Sequence, residues 1–226
     1  MKIIINYLDN NIIIDPENVF SLEIENKHYF YRIVNDFNDL SNNKINDSIK
    51  FYDNKSFEEL NYFSKLNIYS DFFNFDINNK KIINTLYSTI EKDTKINEID
   101  IIAKSYKKIE KIIKNKLKEF NFDIEIQNEF ELKEVLKLFK VNIIKNNLLI
   151  DNLLILVDTI KFCASDTILI FINLKSYLTN NELEEFYKYC IYNEIRVLLL
   201  DSKAYGINLK YEKKIIIDED LFEIVI

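Results

Sequence analysis

Residues 167–201 read TILIFINLKSYLTNNELEEFYKYCIYNEIRVLLLD, and this stretch decides the fold class. It begins with TILIFIN and ends with RVLLLD, two nearly continuous apolar runs of the kind found in strands buried on both faces of a sheet. The segment between them has apolar residues at helical spacing, and Thr179 with Glu182 three residues later forms a capping-box pattern at its start. Strand, helix and strand in this order predict a βαβ unit with parallel strands.

The segments on either side of this unit add further strands. Towards the C-terminus, residues 213–218 and 221–226 predict two closing strands. The N-terminal region alternates apolar and polar residues between Asp-Asn and Asp-Pro turn signals, which predicts a meander of three short strands. These strands are KIIINYL (2–8), NIIID (11–15) and VFSLEIE (19–25). A helix over 27–40 and strands over 48–53 and 66–71 follow, so the predicted fold class is α/β.

From about residue 78 to 165 the pattern changes to long helical periodicity, with no glycine or proline to interrupt it. The predicted helical segments cover residues 78–92, 98–120, 129–139 and 147–164. The simplest architecture places the N-terminal strands and the βαβ unit in one sheet, forming a head domain of residues 1–78 and 165–226. Residues 79–164 then form an inserted, all-helical leg domain. Two consecutive domains are the alternative, but they would leave the first strands without enough partners.

Composition limits the class of protein. The 226 residues are 48% hydrophobic and 30% charged, enough for a sizeable core. A net charge of −7 argues against a protein that coats nucleic acid with its whole surface, although a local basic patch stays possible. The N-terminal apolar run is too short for a signal peptide, and no segment reaches the roughly 18 apolar residues that would span a membrane. We therefore expect a cytoplasmic protein.

Two residue counts exclude whole classes of site. Gly206 is the single glycine, and phosphate-binding loops need several glycines to bring backbone N–H groups close to the phosphates. This excludes a Walker loop and a Rossmann fingerprint. His28 is the single histidine, which excludes an HExxH protease and a His-rich zinc site. Asp and Glu total 37, so paired carboxylates identify no catalytic site by themselves.

One predicted helix, residues 98–120, concentrates positive charge. At 100° per residue, six of its lysines fall within an arc of about 120° and extend over ~21 Å of helix axis. We call this set the lysine arc: Lys104, Lys107, Lys108, Lys111, Lys114 and Lys118. The opposite side carries apolar residues: Ile102, Tyr106, Ile109, Ile113, Leu117 and Phe120. The helix is thus amphipathic, with an almost uniformly positive polar face.

The lysine arc has three possible roles: a solvated face, a membrane-binding face or a surface that binds a polyanion. Charged helix faces are often only solvated, but they then usually alternate in sign, because like charges at i and i+4 repel. Basic amphipathic helices also lie on membranes, but this one has no Trp and a wide apolar stripe suited to packing. Binding of a polyanion best explains why the helix carries so many lysines that repel one another. Since the only arginines are Arg32 and Arg196, the pattern favours phosphate contacts over readout of bases.

An acidic segment follows the lysine arc directly, reading FNFDIEIQNEFELKEV over residues 120–135. Its carboxylates are Asp123, Glu125, Glu129, Glu131 and Glu134. Calcium takes six to eight oxygen ligands from flexible segments of this composition, but the glycine and spacing of an EF-hand are missing. The alternative is that acidic residues stabilise the N-terminus of the next helix through its dipole. Both interpretations stay open at this point.

The chain resembles one known family, the Csn-two proteins of type II-A CRISPR adaptation, in their short form. The resemblance runs through IYSDFFNFDINNKKIINTLYSTIEK (68–92), FDIEI (122–126), residues 168–201 and IIIDEDLFEI (215–224). Order, spacing and total length carry it, rather than any single motif. It implies a head similar in topology to P-loop ATPases but without the nucleotide site, and a helical leg.

The resemblance also implies a function. Proteins of this family form tetrameric rings, bind ends of linear duplex DNA through a lysine-lined channel and use calcium to hold the leg arrangement. By position in the leg, the lysine arc would face that channel. Asp123, Glu125 and Glu134 match the family's calcium-binding segment, Glu129 matches if one residue is inserted, and Gln127 replaces an acid.

The expected role is therefore non-catalytic. The ring would hold DNA ends during spacer acquisition, while the CRISPR adaptation integrase and the RNA-guided effector nuclease act as partners that supply catalysis. Two alternatives remain: a metal-dependent nuclease or degenerate ATPase acting on DNA through carboxylates such as Asp123 and Glu125, and a pure protein-interaction scaffold.

Overall fold

The computed structural model describes residues 1–62, 65–120, 122, 124, 129–164 and 166–226. The chain divides into two compact units. The head unit comprises Met1–Ile77 and Lys145–Ile226, and the helical unit comprises Asn78–Ile144. The helical unit is thus an insertion between the two parts of the head unit.

The described residues form ten β-strands and six α-helices. The strands are β1 Lys2–Ile5, β2 Ile12–Ile13, β3 Val19–Ile24, β4 Ile49–Tyr52, β5 Glu59–Leu60, β6 Leu66–Tyr69, β7 Ile168–Ile172, β8 Arg196–Asp201, β9 Glu212–Ile217 and β10 Glu223–Val225. The helices are α1 Lys27–Ser41, α2 Lys80–Asp93, α3 Ile96–Leu117, α4 Leu132–Leu138, α5 Leu149–Ala164 and α6 Asn180–Tyr192. The mixed α/β fold predicted from the sequence is confirmed.

A six-stranded sheet in the order β10-β9-β3-β8-β7-β6 forms the centre of the head unit. Five neighbouring strands of this sheet are parallel, and only β10 is antiparallel. The predicted βαβ unit is β7, α6 and β8, and its two strands pair in parallel as expected. At the start of α6, the Thr179 side chain accepts from the Glu182 N–H, and Glu182 accepts from the Thr179 N–H at 2.8 Å.

The prediction of an N-terminal meander within one sheet is wrong. Strands β1 and β2 pair with each other, and with β4 and β5 they form a separate antiparallel sheet in the order β2-β1-β4-β5. Strand β3 instead lies inside the large sheet, in parallel between β9 and β8. All six of its residues are buried, which suits a strand covered on both faces rather than a strand of a half-exposed meander.

One face of the large sheet packs on α1 and the small sheet, and this layer forms the main core of the head unit. Its buried side chains come from both sheets and from the inner face of α1, including Ile33, Phe37 and Leu40. The other face is covered by α6, whose Phe186 ring meets Phe171 of β7 edge-on at 5.5 Å. The head unit is therefore layered, with covering elements on both faces of its sheet.

The predicted leg boundary at residue 164 is wrong, because α5 belongs to the head unit. Leu153, Leu156 and Val157 of α5 are fully buried. The helix packs on α6, and Tyr189 of α6 donates to the Asp158 carboxylate at 2.7 Å. A helix with so many apolar positions needs a large covered surface, which the head unit supplies. No described helix has the length and hydropathy that crossing a membrane requires.

The helical unit consists of α2, α3 and α4, with its two ends joined. The Asn78 side chain donates to the Ile143 carbonyl at 2.9 Å and accepts from the Ile143 N–H at 2.7 Å. Within the unit α2 packs against α4, and Lys133 lies 3.3 Å from Glu91 across that contact. These two hydrogen bonds hold the first and last residues of the helical unit next to each other.

Candidate nucleic-acid interface

Helix α3 is long, but no residue of it is buried. Its partly covered residues share one side of the helix: Ile99, Ile102, Ala103, Tyr106, Glu110 and Leu117. The Tyr106 ring packs edge-on against Phe130 at 5.6 Å on this side. At 100° per residue the lysine arc is centred about 120° around the helix from this side, and all six of its lysines are exposed. The structure therefore places the predicted lysines together on one accessible surface.

Ion pairing separates one lysine from the rest of the arc. The Lys114 ammonium lies 2.5 Å from the Glu110 carboxylate, one helical turn earlier. Lys104, Lys107, Lys108, Lys111 and Lys118 form no ion pair with any described residue. Five positive charges of the arc are thus not neutralised by carboxylates in the described part of the chain, although acidic residues outnumber basic ones in the whole sequence.

The local charge balance of α3 opposes that of the whole protein. Residues 96–118 contain seven lysines and three acidic residues, a balance of +4, whereas the full chain carries −7. Lys116 lies outside the arc and pairs with Glu119 at 2.9 Å. Repulsion between like charges one turn apart costs a helix a few tenths of a kcal/mol per pair. The arc is therefore mildly unfavourable for the isolated helix and would gain from an anionic partner.

Sequence reasoning missed one acidic residue within the arc. Asp100 falls at the same helical angle as Lys118, and its position one turn before Lys104 is visible from the spacing. It is exposed, and no ion pair between it and Lys104 forms in the structure. The continuous positive surface therefore begins at Lys104.

Neither arginine belongs to α3 or to the helical unit. Arg196 donates to the Asp166 carboxylate at 2.6 Å, and the Arg32 guanidinium lies 3.8 Å from the centre of the Tyr7 ring. Hydrogen bonds from Lys65, Tyr62 and Arg196, outweighing the opposing effect of partial burial, lower the pKa of Asp166 to about 2. Both arginines are therefore engaged within the head unit, and α3 offers only lysines to a polyanion.

The predicted metal ligands are described only in part. Asp123 and Glu125 lie outside the described residues. Glu129 and Glu134 are both exposed, and the Glu134 carboxylate lies 2.5 Å from the Lys137 ammonium, whose pKa it raises. Within the described ranges, no group of three or more His, Cys, Asp or Glu side chains is arranged to hold a metal ion. Glu134 lies in the first turn of α4, where the helix dipole favours an acidic residue.

A cluster of buried charges in the head unit was not predicted from the sequence. The Lys175 ammonium lies 2.7 Å from the Glu23 carboxylate and 2.5 Å from the Glu212 carboxylate, with all three side chains at most 2% exposed. Burial alone would lower the pKa of Lys175, but attraction to Glu212 and Glu23 outweighs it and raises the pKa. The sequence signal for this cluster is Glu23, a charged residue within the mostly apolar segment that forms β3. Its partners cannot be identified from the sequence, because they lie far away along the chain.

Comparisons with known proteins agree with this architecture. The chain matches the family model for CRISPR-associated protein (Cas_Csn2) over residues 42–221. A search of curated proteins finds no match. Among solved structures, the crystal structure of Stu0660 of Streptococcus thermophilus is similar, with a TM-score of 0.60 at 11% sequence identity. The similarity covers 96% of this chain and 74% of that one. At this identity the structural match supports the fold, and the family model, which spans well over half of the sequence, shows that the chain belongs to the CRISPR-associated Cas_Csn2 family.

Proposed function

We propose that this protein binds ends of double-stranded DNA without sequence preference, as a ring-shaped homotetramer, during spacer acquisition in a type II-A CRISPR system in the cytoplasm. The observation that carries the proposal is the lysine arc, with five lysines that no described carboxylate neutralises. Membership of a CRISPR-associated family supports a nucleic-acid setting for this surface.

The dimensions of the arc suit a duplex backbone. Its ~21 Å of helix axis faces a length of duplex that carries about 12 phosphate charges, at one charge per 1.7 Å. Lysine ammonium groups contact phosphates as point charges and do not select bases. The two arginines, which could read guanine edges, are engaged within the head unit. Binding through α3 would therefore be independent of sequence and strongly dependent on salt.

Self-association has support from the apolar side chains of α3. Ile101, Ile109, Ile112 and Ile113 are between 46% and 64% exposed, so the helix leaves much of its apolar surface uncovered. Contiguous exposed apolar surface commonly marks a protein interface. We propose that further copies of this chain cover it, so that several lysine arcs surround one duplex in a homotetrameric ring. Repeating the same arc in each subunit would multiply the phosphate contacts.

We further propose that the head unit is related to P-loop ATPases but has lost their nucleotide site. The five parallel strands can be numbered 1 to 5 in chain order, as β3, β6, β7, β8 and β9. Across the sheet they then lie in the order 5-1-4-3-2. The central strand β3 leads into α1 through Glu25 and Asn26 alone, with no glycine, whereas a phosphate-binding loop needs a longer glycine-rich connection. The Asn26 side chain accepts from the Tyr29 N–H at 3.0 Å and so occupies the helix N-terminus that would otherwise face a phosphate.

Calcium is part of the proposal as a structural ion. Asp123, Glu125, Glu129 and Glu134 would hold it, since carboxylate oxygens are the ligands that calcium prefers. Glu129 and Glu134 are exposed and accessible, but Glu134 would have to exchange its ion pair with Lys137 for the ion. When bound, the ion would offset the repulsion among these carboxylates. No residue is assigned a catalytic role; integrase and effector nuclease partners would supply the chemistry.

A pair of charge-reversal variants tests the proposal. Lys107→Glu with Lys111→Glu should leave assembly intact and abolish duplex binding. Lys55→Glu with Lys188→Glu is the matched control, because both lysines are exposed, lie in the head unit and form no ion pair with described residues. Light scattering after size-exclusion chromatography, with and without calcium, measures assembly. A mobility shift on linear and closed-circular duplexes measures binding and the need for ends.

Three outcomes would contradict the proposal. Unchanged retention of linear DNA by the arc variant at moderate salt would remove α3 from the interface. Cleavage of DNA with magnesium or manganese, lost in Glu125→Ala, would favour a metal-dependent nuclease. Failure of the unaltered protein to bind DNA at any salt concentration would favour a protein-interaction scaffold.

A further inference from the structure

Part of the buried charge cluster of the head unit lies where the parallel strands β3 and β8 end, and part lies at the start of β9. Glu23 is the penultimate residue of β3, Asp201 is the last residue of β8, and Lys175 follows the end of β7. In α/β proteins the carboxyl ends of parallel strands form the edge where ligands bind. Here Glu23 and Asp201 occupy that edge, whereas Glu212 and Lys214 reach the cluster from the start of β9, in register with Val19 and Ser21 of β3. The charged or hydroxyl-bearing side chains of the cluster are Ser21, Glu23, Lys175, Tyr187, Asp201, Glu212 and Lys214.

These groups face one another from several elements. Strand β3 contributes Glu23 and β9 contributes Glu212 and Lys214, with the Lys214 ammonium 3.6 Å from the Glu23 carboxylate. Tyr187 of α6 donates to the Glu212 carboxylate at 3.1 Å. The Tyr205 ring lies 5.5 Å from the Lys175 ammonium. Three carboxylates thus share a buried space with only two ammonium groups.

Asp201 is the carboxylate of this cluster that forms no ion pair with a described residue. It is fully buried, and neither of its oxygens makes a hydrogen bond of normal geometry within the described residues, although the backbone N–H of Lys175 lies close enough to favour the charged form slightly. Burial raises the pKa of Asp201 to about 7, and attraction to Lys175 opposes the rise only in part. With Asp201 protonated the two remaining carboxylates balance the two ammonium groups, and the cluster is neutral.

The segment of residues 202–211 is hydrogen-bonded to the same cluster. The Tyr205 N–H donates to the Glu23 carboxylate at 3.1 Å, and the Lys214 ammonium donates to the Ile207 carbonyl at 2.7 Å. The segment forms no helix or strand. Its middle residue, Gly206, has φ +62°, a conformation that favours glycine. The contacts that hold the segment therefore depend on charged groups whose balance Asp201 can change.

We propose that Asp201 acts as a buried proton latch: its protonated form keeps residues 202–211 closed over the carboxyl edge of the sheet, and its ionisation releases them. Ionised Asp201 would add a third negative charge beside Glu23 and Glu212, and hydration relieves that charge only if the covering segment moves away. The device is separate from the lysine arc and does not depend on DNA binding.

The sign of the pH dependence follows from linkage. If Asp201 titrates near its ordinary value of 3.8 when the segment is open and near 7 when it is closed, the closed form binds more protons between these values. Raising the pH through that window favours opening by up to about tenfold per pH unit, and the effect levels off above about pH 7. Below pH 4 this group contributes no further change.

Hydrogen exchange followed by mass spectrometry tests the latch in the full chain. After correction for the intrinsic exchange rate, opening of residues 202–211 should rise steeply from pH 5 to 7 and then level off. Asp201→Asn, which mimics the protonated form, should abolish this dependence, and Asp220→Asn, an exposed acid on another loop, should retain it. The same pH dependence in Asp201→Asn and in the unaltered protein would overturn the proposal.

A measurement on the unaltered protein keeps the proposal testable if Asp201→Asn does not fold. Infrared difference spectroscopy between pH 5 and 8 should show a protonated carboxylic acid that disappears near neutral pH, where ordinary surface carboxylates are already ionised. Absence of any such titration, or exchange at residues 202–211 that follows the intrinsic rate at every pH, would refute the latch.

Discussion

Removing positive charge from the lysine arc should lower the salt dependence of DNA binding by an amount that the structure sets. Lys107 and Lys111 are exposed, lie one helical turn apart and pair with no described carboxylate. Each phosphate contact contributes about 0.9 to the slope of log K against log salt concentration. The double variant Lys107→Gln, Lys111→Gln should therefore lower that slope by about 1.8 for each bound subunit.

This difference is large enough to measure. Between 50 and 200 mM salt, a slope difference of 1.8 means that the affinity of the unaltered protein falls about 12-fold more than that of the variant, for one bound subunit. Fluorescence anisotropy of a labelled duplex over this salt range gives both slopes. Glutamine keeps the side-chain length and helix propensity close to those of lysine, so that folding is not expected to change.

Two single variants on the same helix make the comparison sharper. Lys114→Gln should lower the slope less than Lys111→Gln, because Glu110 already neutralises Lys114. Lys116→Gln should leave the slope unchanged, since Lys116 lies outside the arc and pairs with Glu119. Equal slopes for all of these variants, or an effect of Lys116→Gln as large as that of Lys111→Gln, would refute the assignment of the interface.

Four further predictions concern the two units separately. Glu110→Gln should tighten duplex binding and raise the salt slope by up to about 0.9, because it frees the neighbouring lysine for a phosphate. Glu129→Gln with Glu134→Gln should weaken calcium binding measured by titration calorimetry, because two proposed oxygen ligands lose their charge. Lys175→Met should lower the free energy of unfolding by about 3–5 kcal/mol in urea, because it leaves the buried Glu212 without its ion pair to Lys175 and Glu23 with only the more distant Lys214. Leu153→Ala should lower it by about 2–5 kcal/mol, since this fully buried residue anchors α5 in the head unit.

Each of these predictions has a matched control on the exposed surface. Glu119→Gln is the control for Glu110→Gln, and Glu185→Gln is the control for the Glu129 and Glu134 variant. Lys188→Met is the control for Lys175→Met, and Leu148→Ala is the control for Leu153→Ala. Weaker DNA binding by Glu110→Gln would show that this carboxylate does not compete with phosphate. Calcium heats equal to those of the control would exclude Glu129 and Glu134 as ligands. If Lys175→Met or Leu153→Ala lowers the free energy of unfolding by less than about 1 kcal/mol, the site relaxes or takes up water on substitution, contrary to the prediction.

The elements that the sequence predicted well depend on local patterns. The strands and helix of the βαβ unit and the positions of α2 to α5 follow from hydrophobic periodicity and capping residues within short windows. The lysine arc is local in the same sense, because the angles between its residues follow from helix geometry alone. The ion pair between Glu110 and Lys114 could also be predicted, because these residues are four positions apart in the same helix.

The errors concern which elements meet. The alternating pattern of VFSLEIE predicts a strand in a meander with its sequence neighbours, whereas β3 pairs with β8 and β9, almost two hundred residues further along the chain. The uninterrupted helical periodicity predicts that α5 belongs to the leg, whereas its packing against α6 places it in the head unit. Pairing and packing partners at such distances leave no periodic trace in either segment.

By itself, the sequence determined the α/β class, the absence of a glycine-rich phosphate loop and one helix with a concentrated cationic surface, because each depends on residue type and spacing within a few turns of chain. Only the tertiary structure decided that β3 lies at the centre of the large sheet, that α5 packs in the head unit, and that Glu23, Lys175, Asp201 and Glu212 share one buried space. Burial and charge balance arise when distant segments come together, so no local pattern encodes them.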